Sequence, residues 1–274
     1  MAINAGIFRQ YDIRGVVGDD LTTEAAEVIG RAYAAHLASR GIRGNVAVGR
    51  DNRPSGLALR DALVAGLTAC GVDVIDIGVV PTPLLYWSLH HLPVVGGIQI
   101  TGSHNPPEYN GFKLCVGTES LHGAGIQGLL RFIREASYPA GEGTVCHEEI
   151  IARYIDDIVA KVGPLSRPLK VVIDAGNGAG ALVAEALFSR LGVAGSYLFC
   201  ESDGTFPNHH PDPTVVENLH DLIAAVRMQG ADLGIAFDGD ADRIGLVDGD
   251  GTIIWGDHIL ILYARDVLAR TGGG

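Results

Sequence analysis

Three carboxylates in alternate positions, Asp238, Asp240 and Asp242, stand in the stretch DGDADR at 238–243. Along an extended strand they would share one face and repel. At a strand end, Gly239 lets the backbone bend so that their oxygens converge on one centre. Three carboxylates with room for a phosphate oxygen suit a hard cation such as Mg2+. An EF-hand is excluded, because its sixth position needs Gly and its twelfth Glu, where this chain has Arg243 and Gly249. The plain alternative is a polar turn, which is our reading of DGDG at 248–251.

A second concentration of reactive types is TGSHNPPEYNGFK at 101–113. A serine hydroxyl is a poor nucleophile without a neighbouring base or a polarising partner. His104 adjoins Ser103, and Lys113 returns to the same place after turns at Pro106-Pro107 and Asn110-Gly111. A phosphorylated Ser103 would carry about −1.5 to −2 charges and need cations around it. A metal on the aspartates, with Lys113, Arg243 and Arg14, would supply them. Read alone, the loop is equally a turn rich in Gly and Pro that exposes a histidine.

Other candidates carry less. Arg50 and Arg53 in GRDNR either clamp phosphate or brace the backbone, and bracing is the reading we take. DAGNGAG at 174–180 resembles a phosphate-cradling loop, yet it lacks the P-loop lysine and the G-x-G-x-x-G spacing. Adjacent histidines seldom aim both rings at one ion, so His209-His210 and His90-His91 are taken as structural.

These loops need elements to hold them. Apolar runs NVAVG (45–49), VDVIDIG (72–78) and VVGGIQI (94–100) alternate with helical patterns, as in Leu59, Leu63, Leu67 and Cys70. After SYPAGEGTV (137–145) a second cycle begins: a helix at about 147–162, strand LKVVIDAGNGAG, helix 179–191, strand SYLFC, helix 217–229 and strand ADLGIAF. The pattern predicts an α/β fold of two similar domains, each a mixed, mainly parallel β-sheet with crossover helices. Their expected bounds are 1–145 and 146–252. Both loaded loops then fall at carboxyl ends of strands, where open α/β sheets bind ligands. Residues 253–274 include WGDHILILYARDVLAR, a helix apolar nearly all round. It reads as the first helix of a further domain, or else as a helix docked on the second.

The composition agrees with two packed domains: 274 residues, 47% of them hydrophobic. Twenty Lys and Arg against 32 Asp and Glu leave a formal charge of −12, which argues against nucleic-acid binding. No secretory pattern opens the sequence and no apolar run reaches membrane-spanning length. Cys70, Cys115, Cys146 and Cys200 are scattered, as expected of buried, reduced thiols in a cytoplasmic protein.

Taken together, FRQYDIRG, GRDNRPSG, TGSHNPPEYNGFK, DAGNGAG, FPNHHPDP with ENL, and DGDADR resemble the α-D-phosphohexomutases, in the order expected of that family. The resemblance runs from Phe8 to about Arg270, and the serine loop is most similar to the bacterial phosphomannomutase/phosphoglucomutase branch. It implies that Ser103 carries the phosphoryl group and that Asp238, Asp240 and Asp242 hold Mg2+ against it. It implies that His104 and Lys113 assist proton transfer and charge stabilisation, with Tyr11, Arg14, Asn105 and Arg243 supporting the phosphate and substrate. Hexose 1-phosphate and 6-phosphate would interconvert through a hexose 1,6-bisphosphate. Ala241 departs from the family, many of whose members have Gly there. The family also has four domains, so 253–274 is expected to be the stub of a third. The third and fourth would complete the cleft, and little mutase activity is expected of this chain alone. A metal-dependent sugar phosphatase and a non-catalytic sugar-phosphate-binding fragment are the competing readings.

Overall fold

Runs of Val and Ile bury both faces only when helices cover the sheet they form, and the first such sheet has seven strands. They are β1 (Ile13–Val16), β2 (Asn45–Arg50), β3 (Val74–Val79), β4 (Val94–Ile100), β5 (Tyr109–Val116), β6 (Glu119–Ser120) and β7 (Val145–His147). In this computed structural model, which describes residues 3–273, the order is β1-β5-β4-β2-β3-β7, with β6 also paired to β5. Residues 1, 2 and 274, at the ends of the expected first domain and stub, lie outside the described residues. Only β5 runs against the others.

Helices α1 (Thr23–Ser39), α2 (Gly56–Thr68), α3 (Thr82–His91), α4 (Ala124–Glu135) and α5 (Ile151–Val162) flank this sheet. On one face, Ile29, Leu63, Leu67 and Leu129 from α1, α2 and α4 pack with Val48, Ile98 and Phe112. Glycine brings α1 and α2 together: a Cβ on Gly66 would stand 2.1 Å from the Glu27 carbonyl oxygen. On the other face, α3 and α5 bury Leu84, Leu85 and Ile155 against Ala47, Ile75 and Ile77.

The second sheet, in order β12-β11-β10-β8-β9, comprises β8 (Lys170–Asp174), β9 (Ala194–Leu198), β10 (Leu233–Phe237), β11 (Ile244–Asp248) and β12 (Ile253–Ile254). Again one strand, β11, is reversed. Helices α6 (Ala184–Arg190) and α7 (His220–Gln229) cover it. Val183 and Leu187 continue the apolar cluster around Ile155 of α5, so the two units share a packed seam. In both, a parallel strand turns back into the one reversed strand, β4 into β5 and β10 into β11. Those two turns are the serine loop and the aspartate loop.

Several expectations are corrected in detail. Val145–His147 pairs with β3, so the first sheet reaches two residues past the expected boundary and the next helix starts at Ile151, not 147. The helices expected at 179–191 and 217–229 each open with a short 3-10 turn, because Gly180 and Asn218 suit tight turns better than a first α turn. Cys146 is exposed at the sheet edge, whereas Cys70 and Cys115 are buried. Helix α8 (Gly256–Thr271) is not docked on the second unit: Ile259 alone is buried, and Leu260, Leu262 and Tyr263 are 66%, 52% and 55% exposed. No helix among the described residues is long and apolar enough to cross a membrane.

Candidate active site

The serine loop leaves β4 in a conformation the ladder cannot hold. Ser103 has φ +50°, in the left-handed region that costs a non-glycine residue about 1–2 kcal/mol. Local bonds retain it: the Ser103 amide donates to Thr101 Oγ1 at 2.8 Å, and the Gly102 amide donates to Asp51 Oδ2 at 3.0 Å. Arg14, paired with Asp12 at 2.6 Å, donates to the Gly102 carbonyl. Arg53 is buried beneath the loop and braces it, as the sequence reading holds.

The aspartate loop meets Ser103 at its side chain. Ser103 Oγ donates to Asp238 Oδ2 at 2.8 Å and lies 3.2 Å from His104 Nδ1. Asp238 Oδ1 accepts from the amides of Asp242 and Arg243, both at 3.1 Å, which closes the loop on itself. The closure places Ala241 at φ +57°, a position that glycine would occupy without strain. At Gly239 no side chain fits, since a Cβ would stand 2.3 Å from the Ser103 carbonyl oxygen.

Asp240 is held from the first unit. Its Oδ2 accepts from Thr82 Oγ1 at 2.6 Å and from Lys113 Nζ at 2.7 Å. Its backbone carbonyl accepts from the Thr82 amide at 2.9 Å, at the N-terminus of α3, where the helix dipole favours an anion. Lys113 also pairs with Asp242 Oδ2.

Burial, reinforced by the charges of Asp240 and Asp242, pushes the Asp238 carboxyl up to about 8. Burial would also raise Asp240, but the Lys113 ammonium and its hydrogen bond win and hold it low, at about 2. Desolvation disfavours the Lys113 charge, yet the two aspartates outweigh it and raise its pKa. His104 is lowered, first by burial and then by Arg243.

These residues fit a divalent cation. Oxygens of Asp238, Asp240 and Asp242 all lie within 4.8 Å of one another. The buried Asp240 Oδ1 has no hydrogen-bond partner, which is costly for an anionic oxygen unless something positive meets it.

A cleft of about 590 Å3 opens over this centre, and Tyr11, Arg14, Ser103, His104, Asn105, Lys113, Asp242 and Arg243 all line it. Asp238 and Asp240 lie fully buried under its floor. Arg50 is not among its lining residues. The loop 174–180 is wholly buried and opens only a four-residue 3-10 turn, so it offers no phosphate cradle. Its Asn177 instead bonds to Glu201 and Asn208. His209 bonds through Nε2 to Asp174 at 3.1 Å and through Nδ1 to the His210 carbonyl at 2.9 Å, a structural brace. His91 stacks on Trp87, with ring centroids 4.0 Å apart. Asp12, Thr82 and Tyr86 also belong to the site: Asp12 lies within FRQYDIRG but is not singled out there, and nothing in the sequence marks Thr82 and Tyr86, ordinary residues of a helix until the fold brings them in.

Residues 5–125 match the family model described as phosphoglucomutase/phosphomannomutase, alpha/beta/alpha domain I, and residues 152–251 match domain II of the same family. The phosphomannomutase/phosphoglucomutase of Pseudomonas aeruginosa is 49% identical over 269 residues, covering 98% of this chain and 58% of its own length. The phosphoglucomutase of Neisseria gonorrhoeae is 48% identical over 274 residues, covering 99% of this chain and 59% of its own. A phosphoglucomutase/phosphomannomutase family protein from Burkholderia thailandensis has a similar structure, with TM-score 0.94 and 44% identity over 98% of this chain and 60% of that one. The chain thus spans about three-fifths of the length of these relatives. With two family domains in succession and their loops meeting at one cleft, the chain belongs to the phosphoglucomutase/phosphomannomutase family.

Proposed function

We propose that this chain carries the phosphoryl-transfer centre of a hexose-phosphate mutase, with Ser103 as the carrier. The observation behind the reading is the meeting of Ser103 Oγ with Asp238 and His104 at the floor of a cleft that Lys113, Arg14 and Arg243 also line. Mannose and glucose phosphates are the expected substrates, because relatives bear the names phosphomannomutase and phosphoglucomutase.

In the proposed reaction the P–O bond to Ser103 Oγ breaks as a P–O bond forms to a free hydroxyl of the hexose phosphate. The departing Ser103 oxygen takes up a proton to regenerate its hydroxyl, and the proton of the hexose hydroxyl leaves to a base at the cleft wall. His104 suits that task, since burial and Arg243 lower its pKa and keep a ring nitrogen free to accept. Lys113, with its raised pKa, stays cationic and stabilises charge on the transferring group instead. The resulting hexose 1,6-bisphosphate turns over and returns its other phosphoryl group to Ser103. Mg2+ is the expected ion for the all-oxygen set of Asp238, Asp240, Asp242 and the Ser103 oxygen, and when bound it would supply charge neutralisation at the phosphoryl group. Tyr11, Arg14, Asn105 and Arg243 would bind phosphate and sugar. Unpaired thiols and the absence of a disulfide among the described residues suit a cytoplasmic setting.

Intact-mass analysis after incubation with glucose 1,6-bisphosphate and Mg2+ tests the reading. One phosphoryl group is expected, mapping to Ser103 and lost in Ser103→Ala. Phosphate appearing in solution instead of on added glucose 6-phosphate would favour a phosphatase. No uptake at all would sink the carrier role. Net mutase turnover by the 274-residue chain is expected to be weak, because the relatives are longer by about two-fifths of their length.

A further inference from the structure

We propose that Arg53 and Phe206 form a positioning pair through which the second unit sets the backbone of the serine loop in the first. The inference rests on the carrier role proposed above for Ser103.

Arg53 lies just past β2 and is wholly buried. Its Nε donates to Asp51 Oδ2 at 3.1 Å. Its Nη1 donates to the carbonyls of Pro106 and Tyr109 at 2.6 and 3.1 Å. Its Nη2 donates to the carbonyls of Ser103 and Asn105 at 2.9 and 2.6 Å. A guanidinium has five N–H donors, so none is left for a ligand and no phosphate clamp is possible here. The planar fork instead pins four carbonyls of one short segment, 103–109, between the end of β4 and the first residue of β5. Contact is tight: a Cβ on Gly102 would stand 2.2 Å from Arg53 Cζ. The left-handed Ser103 backbone persists only while its surroundings over-determine it, and this fork is the largest part of those surroundings.

The second unit reaches the same guanidinium. Arg53 Cζ lies 5.0 Å from the centroid of the Phe206 ring, and Phe206 is buried, with φ +53°. The segment leading to it is seated on the neighbouring backbone. Asn52 Nδ2 donates to the Asn177 carbonyl at 2.7 Å and to Ser202 Oγ at 2.9 Å. A Cβ on Gly204 would stand 2.3 Å from the Asn52 carbonyl oxygen. The ring excludes water from the guanidinium and adds its own attraction for the cation, so the four loop bonds are stronger than they would be facing solvent.

The second unit therefore holds the serine loop twice. Asp238 takes the Oγ end, and Phe206 acts through Arg53 on the carbonyl end. Seating of 202–206 on Asn52 and Arg53 thereby fixes where Oγ stands relative to the carboxylates, a matter in which about 1 Å costs about a hundredfold in rate. Arg53 and Phe206 touch no reacting atom; they are positioning residues.

Phe206→Leu, Phe206→Tyr and Arg53→Lys in the 274-residue chain test this, with two readouts. One is hydrogen exchange of the loop amides. The other is the rate at which Ser103, once phosphorylated, passes its phosphoryl group to glucose 6-phosphate. Phe206→Leu and Arg53→Lys are expected to speed exchange at 103–109 by about tenfold, with β2 and β4 exchanging as in the wild type. Transfer should slow by about tenfold in both, with Mg2+ affinity unchanged, and Phe206→Tyr should restore both readouts. Unchanged loop exchange in Phe206→Leu would overturn the proposal, as would protection lost equally from β2 and β4. Should Arg53→Lys not fold, the Phe206 pair decides. If the wild-type chain never takes up phosphate, the carrier role of Ser103 falls while the exchange readout still decides the positioning.

Discussion

Lys113→Met removes one ammonium from the centre of the cleft and keeps an unbranched side chain in its place. Lys113 Nζ lies 2.7 Å from Asp240 Oδ2, and the two side chains are 15% and 0% exposed. Deleting one member of a buried ion pair costs about 3–5 kcal/mol, chiefly because the other charge stays behind unpaired. The lower end applies, since the second partner, Asp242, is 24% exposed and water can answer part of its charge. In a protein of this size about 3 kcal/mol lowers the melting temperature by about 6–12 °C. That deficit is expected in EDTA.

A divalent cation at the triad would neutralise the same Asp240 and Asp242 carboxylates that Lys113 holds. Saturating Mg2+ should therefore restore most of the lost stability, and the variant should bind Mg2+ more tightly than the wild type does. Thermal melts of both proteins with EDTA and with Mg2+, together with calorimetric titration, check this. Equal deficits in the two buffers would refute the competition between ammonium and cation. No deficit in EDTA would refute the claim that Lys113 neutralises a buried carboxylate.

Two further changes probe the frame around the site. His209 has its folded pKa raised above 6.5: burial opposes the charge, but its bonds to Asp174 and the His210 carbonyl prevail. Its stabilisation is thus complete below the unfolded value and lost as pH rises through the folded one. The stability gap between wild type and His209→Gln should be widest in acid melts and close on the alkaline side; a gap that widens with pH would contradict the pairing. Gly239→Ala adds a Cβ that would stand 2.3 Å from the Ser103 carbonyl oxygen. Overpacking there should cost about 1–3 kcal/mol and weaken Mg2+ binding, and unchanged melting and affinity would show slack between the two loops.

The site was legible where its chemistry is local. Ser103 with His104, and the three aspartates, are dense enough in reactive types to stand out, and hydrophobic periodicity put both loops at strand ends. What was hidden depends on partners distant in sequence. Thr82 bonds to Asp240 across 158 residues, and Arg53 spends four of its five donors on carbonyls fifty or more residues away. Carbonyl oxygens carry no sequence signature, so Arg53 could be read only as a brace, not as a brace for that loop. The same holds for β7: three exposed residues, Val145–His147, show no strand periodicity, and pairing with β3 alone makes them one.

Charge at the cleft floor couples Ser103 and the carboxylates, which stand on separate units. Three aspartates face one lysine there, and Arg14 is already answered by Asp12. A phosphoryl group on Ser103 would add about −1.5 to −2 charges within hydrogen-bonding distance of Asp238. A divalent cation brings +2, so the two additions nearly cancel and each favours the other by linkage. The phosphoryl group without the cation would set added negative charge against the buried aspartates and press the two units apart. The seam between the units, with Thr82, Lys113, Asn52 and Arg53 all reaching across it, would resist that pressure in the proposed transfer through Ser103.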